Sequence, residues 1–85
     1  MGKRIAAKAD ILRLAASLRF LRQEREYTQQ EIADAAGIER TTYTTYETAR
    51  NIPNVFILAR IAELYGISVD DILHNPDVAY LFRKE

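Results

Sequence analysis

Hydrogen-bonding side chains recur at helical spacing between residues 40 and 48. A helix would place five of them on one face, and these are Arg40, Thr41, Thr44, Thr45 and Thr48. A guanidinium group can donate two hydrogen bonds to guanine, and threonine offers a hydroxyl to several base edges and a methyl to thymine. A solvated helix surface is the alternative, and for an isolated helix it would be the better interpretation. Threonine is a mediocre helix former, however, so four threonines on one exposed face indicate another role.

Catalytic and metal chemistry find little support in the sequence. There is no cysteine and a single histidine, His74, which lies at a predicted helix end where its interaction with the helix dipole explains it. The acidic residues Asp70 and Asp71 fit a helix N-terminus, and no phosphate-binding glycine loop or nucleophile elbow is present. We therefore expect no enzyme, no cofactor and no metal site.

The segment with the polar face is preceded by a predicted helix whose start and end both carry clear sequence signals. Thr28 and Glu31 form a capping box, and Tyr27 with Ile32 supplies the matching hydrophobic staple. Gly37 suits the left-handed residue that ends a helix. These signals predict a helix over about 29–36, a tight turn, and a second helix over about 39–48 with its tyrosines towards the core. This is the arrangement of a helix-turn-helix.

The ordered set of residues around this turn resembles the XRE-type helix-turn-helix family, which includes the lambdoid phage repressors and Cro proteins. The similarity covers roughly residues 11 to 74, and its spacing is more specific than any single dipeptide. The matching residues are Leu21-Arg22, Thr28-Gln29, Glu31-Ile32-Ala33, Gly37-Ile38, Arg40, Glu47, Pro53, Tyr65-Gly66-Ile67-Ser68 and Asp71-Ile72-Leu73.

The resemblance implies that the helix over 39–48 reads the major groove of double-stranded DNA. Within that family pattern we expect Arg40, Thr41 and Thr45 to be the main base readers, and Thr44 and Thr48 to be peripheral.

The family also implies contacts to the DNA backbone. Gln29 at a helix N-terminus would hold a phosphate, and Arg50 and Asn51 would contact the backbone from the following loop. Asn51 departs from the family, which often has a basic residue there, and so does Glu39, whose charge would repel a phosphate. Both departures lower the expected affinity.

Two further family features concern the flanks of the DNA-reading helix. Arg22 and Glu47 match a family ion pair that fixes the angle of this helix, and removing one partner would strand the other. Lys3 and Arg4 could form a basic arm that tracks phosphates or enters a groove, although a solvated tail is equally consistent with them.

The remaining elements complete an all-α, compact five-helix domain. A first helix is predicted over 10–26 with Asp10 as N-cap, a fourth over about 55–65 with Asn54 as N-cap, and a fifth over about 69–74. A short extra C-terminal helix is predicted over 76–84 from its N-cap and proline signals. The expected organisation is an arm or helix extension over 1–9, the helix-turn-helix domain over 10–74, and a packing or dimerisation segment over 75–85.

Large apolar residues predict an additional contact surface. Ile52, Phe56 and Ile57 stand where the family is commonly polar, so we expect something to cover them. The cover would be the C-terminal segment with Leu81 and Phe82, or a second subunit. We favour a homodimer on two-fold symmetric DNA. The alternative function is a protein-interaction module such as an adaptor or an antitoxin with a toxin partner.

Charge and hydropathy agree with a cytoplasmic protein. The 85-residue chain has a net charge of zero, but seven basic residues accompany two acidic ones in residues 1–25, and five accompany ten in the remainder. Because salt screens charge beyond about 8–10 Å, this distribution predicts modest non-specific DNA affinity. No apolar stretch resembles a signal peptide or a membrane span, so we expect no membrane association.

Overall fold

The computed structural model describes residues 8–74, and five helices with no strand make up the described part. The all-α class and the compact helix-turn-helix fold predicted from the sequence are confirmed. Lys3, Arg4, Leu81, Phe82 and the helix predicted over 76–84 lie outside the described residues. The helices are α1 Lys8–Glu24, α2 Gln29–Ala36, α3 Arg40–Glu47, α4 Val55–Tyr65 and α5 Val69–His74.

Side-chain caps begin three of these helices, two of them at the residues that the sequence predicts. The Thr28 hydroxyl accepts a 3.0 Å hydrogen bond from the Glu31 backbone N–H, and the Glu31 carboxylate accepts a 2.8 Å bond from the Thr28 N–H. Asn54 accepts from the backbone three residues on at 2.9 Å. Ser68 and Asp71 form the same reciprocal pair before α5. Each cap satisfies a backbone donor that the helix itself leaves free.

The first helix differs from its predicted core range of 10–26 at both ends, and its earlier start agrees with the helix extension considered for residues 1–9. Helix α1 already includes Lys8, so Asp10 is not an N-cap; it lies in the first turn and pairs with Arg13 at 2.9 Å. The helix ends at Glu24, two residues earlier than predicted, because Glu26 adopts a left-handed conformation with φ of 59°.

Left-handed residues also follow α2, α3 and α4. Gly37 has φ of 74°, as the sequence predicts, and Gly66 has φ of 73°. Helix α3 is followed by Ala49 with φ of 64°, and the next N–H, that of Arg50, donates a 2.9 Å bond to the Thr45 carbonyl. This 6→1 bond belongs to the motif that glycine usually completes. Helix α3 is therefore one residue shorter at each end than predicted.

The core lies where α1 crosses α3 and α5 and where α2 packs against α3 and α4. Burial of apolar surface is the main driving force for this packing. The large residues of the core are Leu14, Leu18, Leu21, Ile32, Tyr43, Tyr46, Leu58, Ile61, Tyr65 and Ile72. Since both tyrosines of α3 are buried here, the packing fixes which face of α3 points outward.

Candidate nucleic-acid interface

Helix α3 is held by its aromatic face and presents a polar face. Tyr43 and Tyr46 are buried, with their rings 6.2 Å apart in an edge-to-face arrangement. The opposite face carries the arginine and threonines singled out in the sequence. Arg40, Thr41 and Thr48 are exposed, and Thr44 and Thr45 are half-buried. Helical spacing thus predicts correctly which side chains share the outer face.

These polar residues line one open concavity together with the first basic residue of the following loop. Its lining consists of Arg40, Thr41, Thr44, Thr45, Thr48 and Arg50. Asn51 is exposed in the same loop but does not line the concavity. The structure therefore brings six of the predicted DNA-contacting residues onto one surface, with two cationic side chains among them.

Three of the four threonine hydroxyls of this surface already have a hydrogen-bond acceptor within the protein. The Thr45 hydroxyl donates to the Thr42 carbonyl at 2.6 Å, and the Thr48 hydroxyl donates to the Thr44 carbonyl at 3.0 Å. The Thr44 hydroxyl lies 3.0 Å from the Arg40 carbonyl and 3.0 Å from the Gln29 side-chain oxygen. These hydroxyls are consequently oriented before any ligand arrives.

The end of α3 is fixed to α1 by an ion pair. Arg22 Nε and Nη2 donate to the two carboxylate oxygens of Glu47 at 2.6 and 3.1 Å. Glu47 is buried and Arg22 half-buried. Two parallel bonds of this kind set both distance and angle. The ion pair inferred from the family resemblance thus has the geometry needed to hold the angle of α3.

Other groups around Glu47 reinforce its ionised state. Burial alone would raise the pKa of Glu47. Arg22, the nearby Tyr43 hydroxyl and Gln29 stabilise the carboxylate more strongly than burial destabilises it, so the net pKa is lowered. Burial, and then the neighbouring Glu47, raises the pKa of Tyr43 well above its usual value. The Tyr43 hydroxyl has no hydrogen-bond partner among the described residues. The negative charge at this junction is therefore stable at neutral pH.

Gln29 begins α2 as predicted, and its side chain makes hydrogen bonds within the protein. Its side-chain N–H donates to Glu47 at 3.1 Å, and its side-chain oxygen accepts from Thr44. The amide thereby links the start of α2 to both the ion pair and the polar face of α3. One N–H of the side chain is left for a phosphate, and that contact stays a prediction.

The predicted apolar surface is only partly as expected. Phe56 and Ile52 are exposed over 73% and 50% of their surfaces. Ile57, in contrast, is half-buried and packs against the core of its own chain, so it needs no other cover. Val55 is also exposed.

Comparison with known proteins places these features in a family. A family model described as a helix-turn-helix domain matches residues 13–74 of the chain, which contain all five helices apart from the start of α1. The chain belongs to the XRE-type helix-turn-helix family. Its members are transcriptional regulators rather than enzymes.

Two relatives illustrate the range of this helix-turn-helix family. The chain is 27% identical over 63 residues to the cryptic phage CTXphi transcriptional repressor RstR of Vibrio cholerae, an alignment covering 74% of this chain and 57% of the relative. It is 32% identical over 69 residues to the HTH-type transcriptional regulator YqaE of Bacillus subtilis, covering 81% and 60%. The chain thus spans less than two thirds of the length of these relatives.

A solved structure supports the same helix-turn-helix fold. The clp gene regulator ClgR of Corynebacterium glutamicum superposes with a TM-score of 0.74 at 24% identity, covering 88% of this chain and 80% of that one. Among residues 8–74 no helix is long and apolar enough to cross a membrane. Nor does the same range contain a cluster of acidic residues and histidine suited to a metal ion.

One contact within the helix-turn-helix was missed by sequence reasoning. An Arg19 guanidinium N–H donates to the backbone carbonyl of Glu47 at 2.5 Å, so it caps the last turn of α3. Arg19 lies three residues before Arg22 on α1, and side chains at that spacing share a helix face. This spacing was the available signal that both arginines approach the same helix end.

Proposed function

We propose that the protein is a sequence-specific regulator of transcription that binds double-stranded DNA through α3. The observation that carries the proposal is the outward face of this helix, where Arg40 and four threonines line one concavity. An α-helix fits the major groove, and arginine and threonine suit its donors, acceptors and methyl groups. The buried Arg22–Glu47 pair supports the proposal because it fixes the angle at which α3 would enter the groove.

Contacts to the DNA backbone would set the register of this helix. Arg50 borders the concavity and offers a guanidinium to a phosphate. Gln29 at the first position of α2 offers its remaining N–H, and Asn51 adds an amide from the exposed loop. Lys3 and Arg4 are proposed to add charge from the N-terminal arm. These contacts position the protein without reading sequence.

The proposed form is a homodimer that acts as a repressor in the cytoplasm. Phe56 and Ile52 are exposed, and neither lines the α3 concavity. Together with Leu81 and Phe82 they are proposed to supply the apolar contacts between the subunits. A two-fold dimer presents two α3 helices to half-sites about one helical turn apart. Occlusion of a promoter is the simplest outcome for such a complex, and the relative RstR is a repressor by name.

A second candidate is a protein-interaction module, such as an adaptor or the antitoxin partner of a toxin. The observation that favours it is the 73% exposure of Phe56, with Val55 and Ile52 also exposed. The two functions differ in which surface matters. Phe56→Glu would abolish binding of a protein partner, whereas Arg40→Ala would leave that binding unchanged.

Selection of binding sites from a random pool of duplex DNA, at near-physiological salt, tests the proposal. Enrichment of a two-fold symmetric sequence with half-sites about one turn apart is the expected result. A pool that stays random, with weak binding that salt removes, would contradict specific DNA recognition and favour the interaction module.

A further inference from the structure

The threonines of the α3 concavity are not equivalent to free hydroxyl groups. Thr45 and Thr48 each direct the hydroxyl hydrogen to a backbone carbonyl, at 2.6 and 3.0 Å. Thr44 is in the same state, with both the Arg40 carbonyl and the Gln29 oxygen within 3.0 Å. A hydroxyl has one hydrogen to donate and two lone pairs to accept with. What these three residues have left is acceptor capacity and a methyl group.

Because the hydroxyl hydrogens of Thr44, Thr45 and Thr48 are already donated within the protein, these residues favour some base edges over others. A base-edge donor that reaches one of these oxygens adds a hydrogen bond while the bond to the backbone is kept. To donate to a base-edge acceptor, the hydroxyl must rotate away from the backbone carbonyl. One hydrogen bond then replaces another, so the number of hydrogen bonds does not increase. The surface therefore favours donors, and its methyl groups favour apolar contacts.

Only one kind of base pair satisfies both preferences in the major groove. Adenine presents its N6 amino donor there, and the thymine paired with it presents a methyl group. Cytosine also presents an amino donor, but a G·C pair has no methyl. We infer that Thr44, Thr45 and Thr48 select A·T pairs in the operator by accepting from adenine N6 and packing on the thymine methyl. This inference rests on the proposed function.

Two other residues of the concavity are expected to read differently. The Thr41 hydroxyl makes no hydrogen bond among the described residues, so it is free to donate to a base acceptor as well as to accept. Arg40 has donors only and suits guanine O6 and N7. Each half-site should thus combine a guanine read by Arg40 with adjacent A·T pairs read by the threonines further along α3.

The test uses the full chain on the operator obtained from the random pool. Each A·T pair is altered in two ways: uracil for thymine removes the methyl, and purine for adenine removes the amino group. Two variants remove the methyl group and the hydroxyl of Thr45 separately. Thr45→Ser keeps the hydroxyl without the methyl, and Thr45→Val keeps a methyl without the hydroxyl.

A crossed pattern of losses is expected at the pair that Thr45 reads. Uracil should weaken binding of the wild type and of Thr45→Val about fourfold, the effect of one buried methyl group, and leave Thr45→Ser unchanged. Purine should weaken the wild type and Thr45→Ser about fivefold, the effect of one hydrogen bond, and leave Thr45→Val unchanged. Thr41→Ser is the matched control and should retain the sensitivity of the wild type to both alterations at this pair.

Three results would overturn the inference. The first is an operator with G·C pairs at the threonine positions, and the second is an A·T-containing operator on which the wild type tolerates both uracil and purine at every pair. Both leave the proposed DNA-binding function intact. The third is a pool that shows no enrichment, which removes the proposed function together with the inference. The wild-type measurements decide the matter even if a Thr45 variant fails to fold.

Discussion

Glu47 is the residue on which the geometry of the candidate interface most depends. Its carboxylate accepts from Arg22 on α1 and from Gln29 on α2, and its carbonyl accepts from Arg19. A single side chain at the end of α3 therefore joins this helix to both of its neighbours. Because the carboxylate is buried, these partners are needed to offset the cost of taking its charge out of water.

Glu47→Gln should destabilise the fold by about 2–4 kcal/mol. The change leaves the Arg22 guanidinium half-buried without its counter-charge, and stranding one member of a buried pair is costly. Urea unfolding monitored by circular dichroism measures the loss. Glu63→Gln, an amide at an exposed carboxylate on α4, is the control and should stay within about 0.5 kcal/mol of the wild type. Equal stabilities of the two variants would contradict this role of Glu47.

The lowered pKa of Glu47 also predicts how stability depends on pH. The ordinary pKa is 4.5, so as the pH falls through that value the unfolded chain takes up a proton that the native carboxylate does not. The contribution is fully present above the ordinary pKa and is lost as the pH falls through the lower native value. Unfolding free energies of the wild type and Glu47→Gln, measured from about pH 7 to about pH 3, should converge in acid. Parallel curves would show that Glu47 has no such linkage.

Arg40→Ala tests the readout of bases at the scale of one side chain. Arg40 is exposed at the first position of α3, so its removal should leave the unfolding temperature unchanged. We expect a loss of about 1–3 kcal/mol in DNA binding, concentrated at one operator position where the preference for guanine relaxes. Arg13→Ala removes the same charge outside the concavity and serves as control. A uniform loss across all operator variants would instead indicate a phosphate contact.

The end of α3 contains a residue, Ala49, whose backbone conformation is unfavourable for any side chain. Ala49 follows α3 with φ of 64°, a conformation in which the β-carbon of any residue but glycine is disfavoured. Ala49→Gly should therefore stabilise the fold by about 0.5–1 kcal/mol. Ala59→Gly, an exposed site inside α4, should destabilise it by about 0.5–1 kcal/mol. Thermal unfolding of both variants gives the comparison, and a loss at both sites would show that Ala49 is unstrained.

The same helix ends show what the sequence reveals about the elements. Gly37 and Gly66 identify the ends of α2 and α4 because glycine is the usual residue of a left-handed cap. Glu26 and Ala49 make the same conformation without that signal, and the ends of α1 and α3 were misplaced by one or two residues. Asp10 resembles an N-cap in the sequence because an aspartate near a helix start can either cap the helix or pair with a basic residue one turn later. In the structure it pairs with Arg13.

The candidate site was predictable to the extent that it depends on helical periodicity. The periodicity of α3 places Arg40 and Thr48 on the outer face and Tyr43 on the inner one, and all three lie there. The contact of Gln29 with Glu47 joins residues 18 positions apart, and no local pattern encodes it. Arg19 at the end of α3 is a tertiary contact of the same kind. Family resemblance supplied Arg22–Glu47, which periodicity alone would have missed.

At the scale of the whole molecule, the question is what contacts the apolar surface around Phe56. Phe56 and Val55 are exposed over 73% and 64% of their surfaces, with Ile52 at 50% nearby in sequence. Contiguous exposed apolar patches commonly mark contact sites, and Val55 and Phe56 are neighbours in the chain. A surface of this kind, outside the concavity that would contact DNA, leaves α3 accessible in a dimer.

Phe56→Glu should convert a dimer into monomers without unfolding either one. An exposed ring contributes little to the fold of its own chain, whereas a carboxylate buried at an interface has no partner and is costly. Sedimentation equilibrium over a range of protein concentrations measures the change. The wild type should approach the mass of two chains and Phe56→Glu that of one, with binding to a complete operator weakened more than binding to a half-site.

Leu12→Glu introduces a glutamate at an exposed leucine of α1 and should remain dimeric. If Phe56→Glu dimerises as the wild type does, the subunits meet elsewhere, and the apolar surface is left for a different protein partner.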